Sequence, residues 1–236
     1  MMIVFGYNFH HQKTQDFLFY CRHYGYPVEA VLAADWRDLG LPKKRIRTNI
    51  RTSGTIHPAE ICQSQNIPFH IVDHNSTESL EILDRLKPAI GLIAGSRILS
   101  PMVVDSFSKG IINFHPGLIP EIRGLDCVQW ALHKEVPLGM TAHLIDSRID
   151  AGRMIERNIL QEFENDTLID LEQRIYQLQL KQFSKVIDLV CHHPIETFPK
   201  VASELGPACG SFPQELEFEM MEKFAKRFPL SGLVEL

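Results

Sequence analysis

Four polar side chains, Asn113, His115, His143 and Asp150, have the types and spacing to support acid–base chemistry. Asn113 and His115 follow an apolar run and lie two residues apart, so an extended strand would place both on one face. A carboxamide can donate hydrogen bonds to an oxyanion, an imidazole can transfer a proton, and a carboxylate can orient and charge-stabilise that imidazole. The set therefore predicts a catalytic site, although its spacing also fits a strand end with satisfied polar residues and a Pro-Gly turn.

Strands that end in polar loops must position these residues. One strand is predicted over 110–114 and delivers Asn113 and His115. Two more are predicted over 138–145 and 154–160, on either side of a loop from Asp146 to Gly152. Ligands of open α/β sheets bind at the carboxyl ends of the strands. We therefore expect the amide, the imidazoles and the carboxylate to meet at one edge of a sheet.

The rest of the chain predicts an α/β fold with a Rossmann-like, mainly parallel sheet flanked by helices and a later antiparallel addition. We expect residues 1–190 to form the catalytic domain, and residues 191–236 to form a short C-terminal extension that packs on it or on a partner subunit. Near-helical spacing from Thr167 to Val190 predicts one long helix, started by a capping box at Thr167 and Asp170. Further strands are predicted at 3–6, 27–33, 69–72 and 89–94, and further helices around 17–21, 58–65, 77–86, 125–133 and 216–228, with a short one starting at Pro101.

Several ordered motifs resemble the 10-formyltetrahydrofolate-dependent formyltransferase family. They are Ala94-Gly95-Ser96-Arg97-Ile98-Leu99-Ser100-Pro101, Asn113-Phe114-His115-Pro116-Gly117-Leu118-Ile119-Pro120, Arg123-Gly124, Gly139-Met140-Thr141-Ala142-His143 and Asp150-Ala151-Gly152. The resemblance implies the formyltransferase fold, N-formyl transfer, and 10-formyltetrahydrofolate as co-substrate without a metal. It also implies that Asn113, His115 and Asp150 are the catalytic residues. Whether His115 or Asp150 takes the proton first stays open.

The resemblance further implies a slot for the pterin ring of a reduced folate. The family builds this slot from two segments, which here contain Arg97, Ile98 and Leu99, and Asp146, Ile149 and Gly152. A structural alternative exists for part of this set, because Ile98 and Leu99 would be core residues in any sheet protein. For His143, a supporting or packing role is favoured over a reacting one.

The acceptor amine is predicted by comparing branches of the family that the chain resembles. Glycinamide ribonucleotide enzymes carry a glycine-rich phosphate loop after the first strand, where this chain has Gly6-Tyr7-Asn8-Phe9-His10. Methionyl-tRNA enzymes add a tRNA-binding domain, for which too few residues follow Leu160. We therefore expect a nucleotide-linked amino sugar, as in enzymes of surface polysaccharide (lipopolysaccharide O-antigen) biosynthesis. The alternatives are a glycinamide ribonucleotide or methionyl-tRNA type enzyme and a non-catalytic folate-binding protein.

A basic stretch between Trp36 and Gly54 is predicted to be a loop. It contains Arg37, Lys43, Lys44, Arg45, Arg47 and Arg51. Charge runs of this kind are usually solvated surface. The functional alternatives are a site for the phosphates of the acceptor and a site for the glutamate tail of folate.

Composition limits the class of protein. The net charge of −5 argues against a nucleic-acid surface, and no apolar run reaches the length of a membrane helix. The five cysteines are scattered, which predicts free thiols in the cytoplasm. The run Cys191-His192-His193 lacks a second pair of ligands, so no metal is expected. The resemblance also allows a homodimer.

Overall fold

The computed structural model describes residues 2–48, 50, 54–146, 148, 150–201 and 205–232. The strands are β1 (Met2–Tyr7), β2 (Val28–Ala34), β3 (Phe69–Ile71), β4 (Ile90–Ile93), β5 (Ile111–His115), β6 (Gly139–Leu144) and β7 (Arg153–Ile159). The helices are α1 (Gln12–Tyr24), α2 (Pro58–Gln65), α3 (Thr77–Leu86), α4 (Pro101–Val104), α5 (Cys127–His133), α6 (Leu168–Lys181), α7 (Phe183–His192) and α8 (Glu217–Arg227).

The strands form one seven-stranded sheet in the order β3-β2-β1-β4-β5-β6-β7. The first five positions pair in parallel, whereas β6 pairs antiparallel with β5 and β7 pairs antiparallel with β6. The strand order reverses between β1 and β4, and in open α/β sheets such a switch point opens a crevice at the carboxyl ends of the strands. The predicted fold class and its antiparallel addition are confirmed.

The apolar strands are buried on both faces of the sheet. On one face, Phe17 of α1, Phe114 of β5 and Phe183 of α7 pack together, with the rings of Phe17 and Phe183 5.0 Å apart. On the other face, Phe5 packs against Phe107 at 5.8 Å. Phe114 therefore points to one side of β5, and the residues next to it in sequence point to the other side.

The predicted single helix from Thr167 to Val190 is wrong. Two helices, α6 and α7, replace it and are separated at Gln182, where φ is −88° and ψ is −3°. On the two sides of the break, α6 packs against β6 and α7 against β7. The capping box is present as predicted, with the Thr167 side chain accepting from the backbone of Asp170 and the Asp170 side chain accepting in return.

The C-terminal residues pack into the body of the same chain. Phe198, Phe212, Met220, Phe224 and Phe228 belong to the main hydrophobic core, and α8 contacts α5. The segment 205–212, called here the C-terminal segment, pairs with the loop that follows β5. In that pairing Leu125 donates its backbone N–H to the Cys209 carbonyl at 2.9 Å, and Cys209 donates to the Arg123 carbonyl at 2.7 Å. This pairing joins the C-terminal segment to the loop that follows β5.

The structure also bears on the cysteines and on membrane-spanning helices. The five cysteines are free thiols, as expected. None of the helices in the described part of the chain is long and apolar enough to cross a membrane.

Candidate active site

Asn113, His115 and Asp150 meet at the carboxyl end of β5, together with His143 of β6. The antiparallel register places Asn113 directly opposite His143, so the strand pairing itself brings these two side chains together. The Asn113 amide nitrogen donates to Oδ1 of Asp150 at 3.3 Å. The ring nitrogen Nδ1 of His115 lies 3.4 Å from the same carboxylate oxygen. A single carboxylate therefore joins the amide and the imidazole.

His143 fixes the orientation of the Asn113 amide. Its Nδ1–H donates to the Ala151 carbonyl at 2.7 Å, which leaves Nε2 as an acceptor for Nδ2 of Asn113 at 3.2 Å. His143 is fully buried, and burial lowers its pKa to about 4, although Asp150 acts in the opposite direction. The ring therefore stays neutral near neutral pH. Both hydrogens of the Asn113 amide face protein acceptors, so a substrate oxygen would have to replace Asp150 as one of them.

His115 has an oxygen acceptor at each ring nitrogen. Nε2 lies 3.0 Å from the Ile122 carbonyl, and Nδ1 faces Asp150. A neutral ring can donate to only one of these acceptors, whereas a protonated ring can donate to both. Burial lowers the pKa of His115, while the Asp150 carboxylate and the Ile122 hydrogen bond act against that change. Burial therefore disfavours the protonated form of His115, whereas Asp150 and the Ile122 carbonyl favour it.

Asp150 is held from both its side chain and its backbone. Its Oδ2 accepts the backbone N–H of Gly124 at 2.8 Å, and its carbonyl accepts from Nε of Arg123 at 3.0 Å. Its φ of 43° lies in the left-handed region, which is uncommon for a residue with a side chain. Such conformations concentrate at functional sites, where the surroundings determine them.

Lys13, in the first turn of α1, is a charged neighbour that the sequence analysis missed. Its ammonium group donates to the backbone carbonyl of Phe114 at 2.9 Å. Phe114 is the residue between Asn113 and His115. Burial lowers the pKa of Lys13 to about 8, and the Asp150 carboxylate acts in the opposite direction. The sequence signal that could have pointed to Lys13 was its position in the chain, because it lies at the start of α1, which follows the carboxyl end of β1.

The first predicted folate segment lies between β4 and α4. Arg97 donates to the Asp35 carbonyl at 2.8 Å and pairs with Asp73 at 3.4 Å, which ties the segment to the ends of β2 and β3. Leu99 is buried, as the structural alternative for it expected. Ile98 is 69% exposed, so the expectation that it would be a core residue in any sheet protein is wrong. An exposed isoleucine on a braced loop is available to a ligand.

The second predicted folate segment turns tightly from β6 to β7. Asp146 accepts from the backbone N–H of Arg148 at 2.8 Å, and their side chains also pair. Gly152 has φ 97°, and a Cβ there would collide with the Leu144 carbonyl, so the close approach requires glycine. Ile149, also predicted in this set, lies outside the described residues. Across the parts of the chain that the structure describes, no group of three or more His, Cys, Asp or Glu residues could hold a metal ion.

A family comparison defines the class of protein. The model of the formyl transferase family matches residues 42–187, which is more than half of the 236-residue chain. The chain therefore belongs to the formyl transferase family.

Among curated relatives, the phosphoribosylglycinamide formyltransferase of Bacillus subtilis (strain 168) is 34% identical over 99 residues, which cover 42% of this chain and 51% of the relative. Methionyl-tRNA formyltransferases also match. The matches span between 40% and 56% of the length of these relatives.

Solved structures share the fold at low sequence identity. A sugar N-formyltransferase from Shewanella sp FDAARGOS_354 has a TM-score of 0.60 at 17% identity, over 89% of this chain and 77% of that one. The formyltransferase PseJ from Anoxybacillus kamchatkensis, solved with UDP-4,6-dideoxy-4-formamido-L-AltNAc and tetrahydrofolate, has a TM-score of 0.55 at 19% identity, over 94% and 90% of the two chains. Phosphoribosylglycinamide formyltransferases are similar in fold as well.

Proposed function

We propose that this protein is an N-formyltransferase that moves a formyl group from 10-formyltetrahydrofolate to the amine of a nucleotide-linked amino sugar. The proposal rests on one observation in a member of the formyl transferase family: the Asn113 amide and the His115 ring both contact Oδ1 of Asp150. The product would be a formamido sugar of the kind used in surface polysaccharide. The second substrate would leave as tetrahydrofolate.

The reaction is an acyl transfer without a change of oxidation state. A neutral amine attacks the formyl carbon, a carbon–nitrogen bond forms, and negative charge develops on the formyl oxygen. When the intermediate collapses, the bond between the formyl carbon and the folate nitrogen breaks. The amine loses one proton and the folate nitrogen gains one, so the site needs an oxyanion donor and a group that carries a proton.

The proposed residues can fill both roles. His115 in its protonated form can donate to the oxyanion, and Asn113 can do so when the formyl oxygen takes the place of Asp150 as acceptor. Each such donor is worth roughly 3–4 kcal/mol in comparable acyl transfers. The His115–Asp150 pair can carry the proton between the two nitrogens, which contributes roughly 10²–10⁴-fold. His143 would position the amide.

The folate part of the proposal rests on the two loops that flank the crevice. The exposed side chain of Ile98 and the braced backbone on each side of it would form one wall of a pterin slot. The turn from Asp146 to Gly152 would form the other wall. Planar heterocycles are commonly bound between an apolar surface and backbone donors or acceptors.

The acceptor part of the proposal is supported by how the chain fills the space after β1. The N-terminus of α1 is capped by its own residue His11, whose Nδ1 accepts from the backbone N–H of Thr14 at 3.3 Å. Tyr7 and Phe9 stack beside it with their rings 4.7 Å apart. A phosphate bound there would have to displace the cap, so this arrangement disfavours an acceptor that places its phosphate after the first strand.

The basic loop offers a different phosphate site. Its base is held by acidic residues, because Lys44 pairs with Asp126 and the Arg45 backbone N–H donates to Glu217 at 3.1 Å. The side chains of Arg45 and Arg47 are exposed. Asp126 lies two residues after Gly124, which donates to the catalytic carboxylate. Diphosphate bound by these arginines would therefore lie on the side of the crevice formed by this loop.

Glycinamide ribonucleotide is the second candidate acceptor, because the Bacillus subtilis relative is a phosphoribosylglycinamide formyltransferase. Purified protein should be supplied with 10-formyltetrahydrofolate and a panel of acceptors, and tetrahydrofolate release followed spectroscopically. The panel comprises nucleoside diphosphate amino sugars, glycinamide ribonucleotide and charged initiator tRNA. We expect turnover with a nucleotide amino sugar. Efficient formylation of either other acceptor would overturn the sugar assignment.

Folate binding can be measured separately from turnover. Calorimetry with a stable 5-formyl or deaza analogue should show binding well below millimolar concentration. Absence of binding at millimolar analogue would end the proposal altogether. Binding without turnover on any amine would favour a folate-binding protein that lacks catalysis.

A further inference from the structure

Lys13 is a cation beside the candidate active site that the mechanism above does not use. It comes from α1, whereas the proposed catalytic residues come from β5 and the loop before β7. Its ammonium nitrogen lies over the ring of Phe17, 5.1 Å from the ring centroid. Its ammonium group donates to the Phe114 carbonyl at 2.9 Å. These contacts hold the charge in one place.

The contact with Phe114 matters because of where that carbonyl lies. In the antiparallel pair with β6, the Ile111 carbonyl accepts from Ile145, so odd-numbered residues of β5 direct their backbone groups towards β6. The Phe114 carbonyl points the other way, towards the end of β4, which stops at Ile93. Lys13 therefore satisfies a strand carbonyl at the point where the neighbouring strand has ended.

The charge of Lys13 acts on the same proton that the mechanism needs. The titratable and charged groups around His115 are Lys13 from α1, Arg123 from the loop after β5, Cys127 from α5, His143 from β6 and Asp150. Asp150 stabilises a proton on His115, while Lys13 and Arg123 repel it. Arg123 also donates hydrogen bonds to the backbone carbonyls of Asp150 and Gly206.

We propose that Lys13 is a positioning residue of this centre: its ammonium group holds the backbone between Asn113 and His115, and its charge favours release of a proton from His115. The role rests on the proposed acyl transfer, in which His115 must give up its proton during the reaction. Lys13 would act on His115 through its charge and through the backbone of β5, with no direct contact to the substrate. A neutral side chain at this position would leave a proton more firmly bound to His115.

The test compares three variants by two independent readouts. Lys13→Met removes the charge and keeps the length of the stem, and Lys13→Arg keeps the charge. Lys109→Met is the matched control, because Lys109 also donates to backbone carbonyls, those of Val190 and Cys191 in the last turn of α7, but it lies before the start of β5, away from the site. The first readout is the titration of the His115 ring by NMR. The second is the pH profile of kcat and of kcat/KM.

In Lys13→Met, the His115 ring should become protonated at higher pH than in the wild type. Its kcat should fall by at least about tenfold with little change in KM, since no substrate contact is lost. Lys13→Arg should retain most of the wild-type His115 titration and most of the wild-type kcat. Lys109→Met should change neither the titration nor kcat. If the His115 titration in Lys13→Met superimposes on that of the wild type, Lys13 is only structural and the inference is wrong. The NMR readout needs no turnover, so it decides the role of Lys13 even if no acceptor amine reacts and the proposed function fails.

Discussion

The backbone N–H of Gly124 donates to Oδ2 of Asp150 at 2.8 Å, and the opposite side of Gly124 is packed against the Cys209 carbonyl. The C-terminal segment thus supports the loop that holds the carboxylate of Asp150, a proposed catalytic residue. Gly124 has φ 97°, so a side chain there meets both a steric and a conformational barrier.

Replacing Gly124 by Ala should separate the C-terminal segment from the loop after β5. The new Cβ would collide with the Cys209 carbonyl in a backbone region that alanine avoids, so we expect a loss of roughly 1–3 kcal/mol in the free energy of unfolding and a large loss of turnover. Gly210→Ala is the matched control, because nothing lies within 4 Å of its Cβ position. Urea denaturation and the formyl-transfer assay measure both effects. Equal stability and activity in the two variants would refute the support role.

The catalytic assignment predicts non-additive losses. Asn113→Ala, His115→Ala and Asp150→Asn should each lower turnover by at least about 10², because each disrupts the same proton and oxyanion network. The triple variant should lose much less than the product of the three single losses. Circular dichroism and the folate-analogue affinity control for intact folding. A triple variant that kept most of the activity would rule out this centre.

The buried histidines predict that stability falls in acid. Burial lowers the pKa of both His143 and His11 to about 4, whereas an unfolded histidine titrates near 6.5. Between these two values the unfolded chain binds protons that the folded chain does not, so the free energy of unfolding should decrease as the pH falls from about 6.5 to about 4, by about 1.4 kcal/mol per pH unit for each such histidine.

His11 allows a direct check of this linkage. His11→Asn keeps a side chain that can cap α1 but removes the titrating ring, so stability should depend less steeply on pH in this window. The exposed His23 near the end of the same helix provides the control variant His23→Asn. Urea denaturation at a series of pH values gives the slopes. An unchanged slope in His11→Asn would show that His11 does not contribute to the linkage.

The basic loop is tested by removing two charges at once. Replacing Arg45 and Arg47 by Ala should raise the KM for the nucleotide sugar and leave the affinity for the folate analogue nearly unchanged, because planar guanidinium groups suit bidentate phosphate binding. The double variant Arg22→Ala and Arg85→Ala removes the same charge from exposed helix ends at the other edge of the sheet. If the folate affinity falls instead, the loop binds the glutamate tail. If neither constant changes, it is a solvated surface loop.

Local patterns predicted the elements that present the site. Alternation in β5 placed Asn113 and His115 on one face because a strand has a period of two residues, and Phe114 duly packs on the other face. The boundaries of α2 were predicted to the residue, since Pro58 opens it and Ile67-Pro68 follows its end. The position of Asp150 followed from the ordered motifs rather than from any periodicity.

Contacts between distant parts of the chain could not be predicted in the same way. Nothing near Lys13 in the sequence marks it as a partner of the Phe114 carbonyl, because that contact depends on how α1 lies over the end of β4. The pairing of Cys209 with the loop after β5 is another such contact. The break at Gln182 was hidden because both α6 and α7 keep near-helical spacing of their apolar residues.

The pairing of the C-terminal segment with the loop at Arg123–Leu125 also sets an order of events during synthesis. Residues 113 to 150 leave the ribosome before residues 205 to 212 have been made, and translation of the intervening chain takes on the order of seconds. During that time the nascent protein carries all the proposed catalytic side chains but not the segment that supports Asp150. We therefore expect the proposed formyl transfer to begin only after the C-terminal segment has emerged and docked.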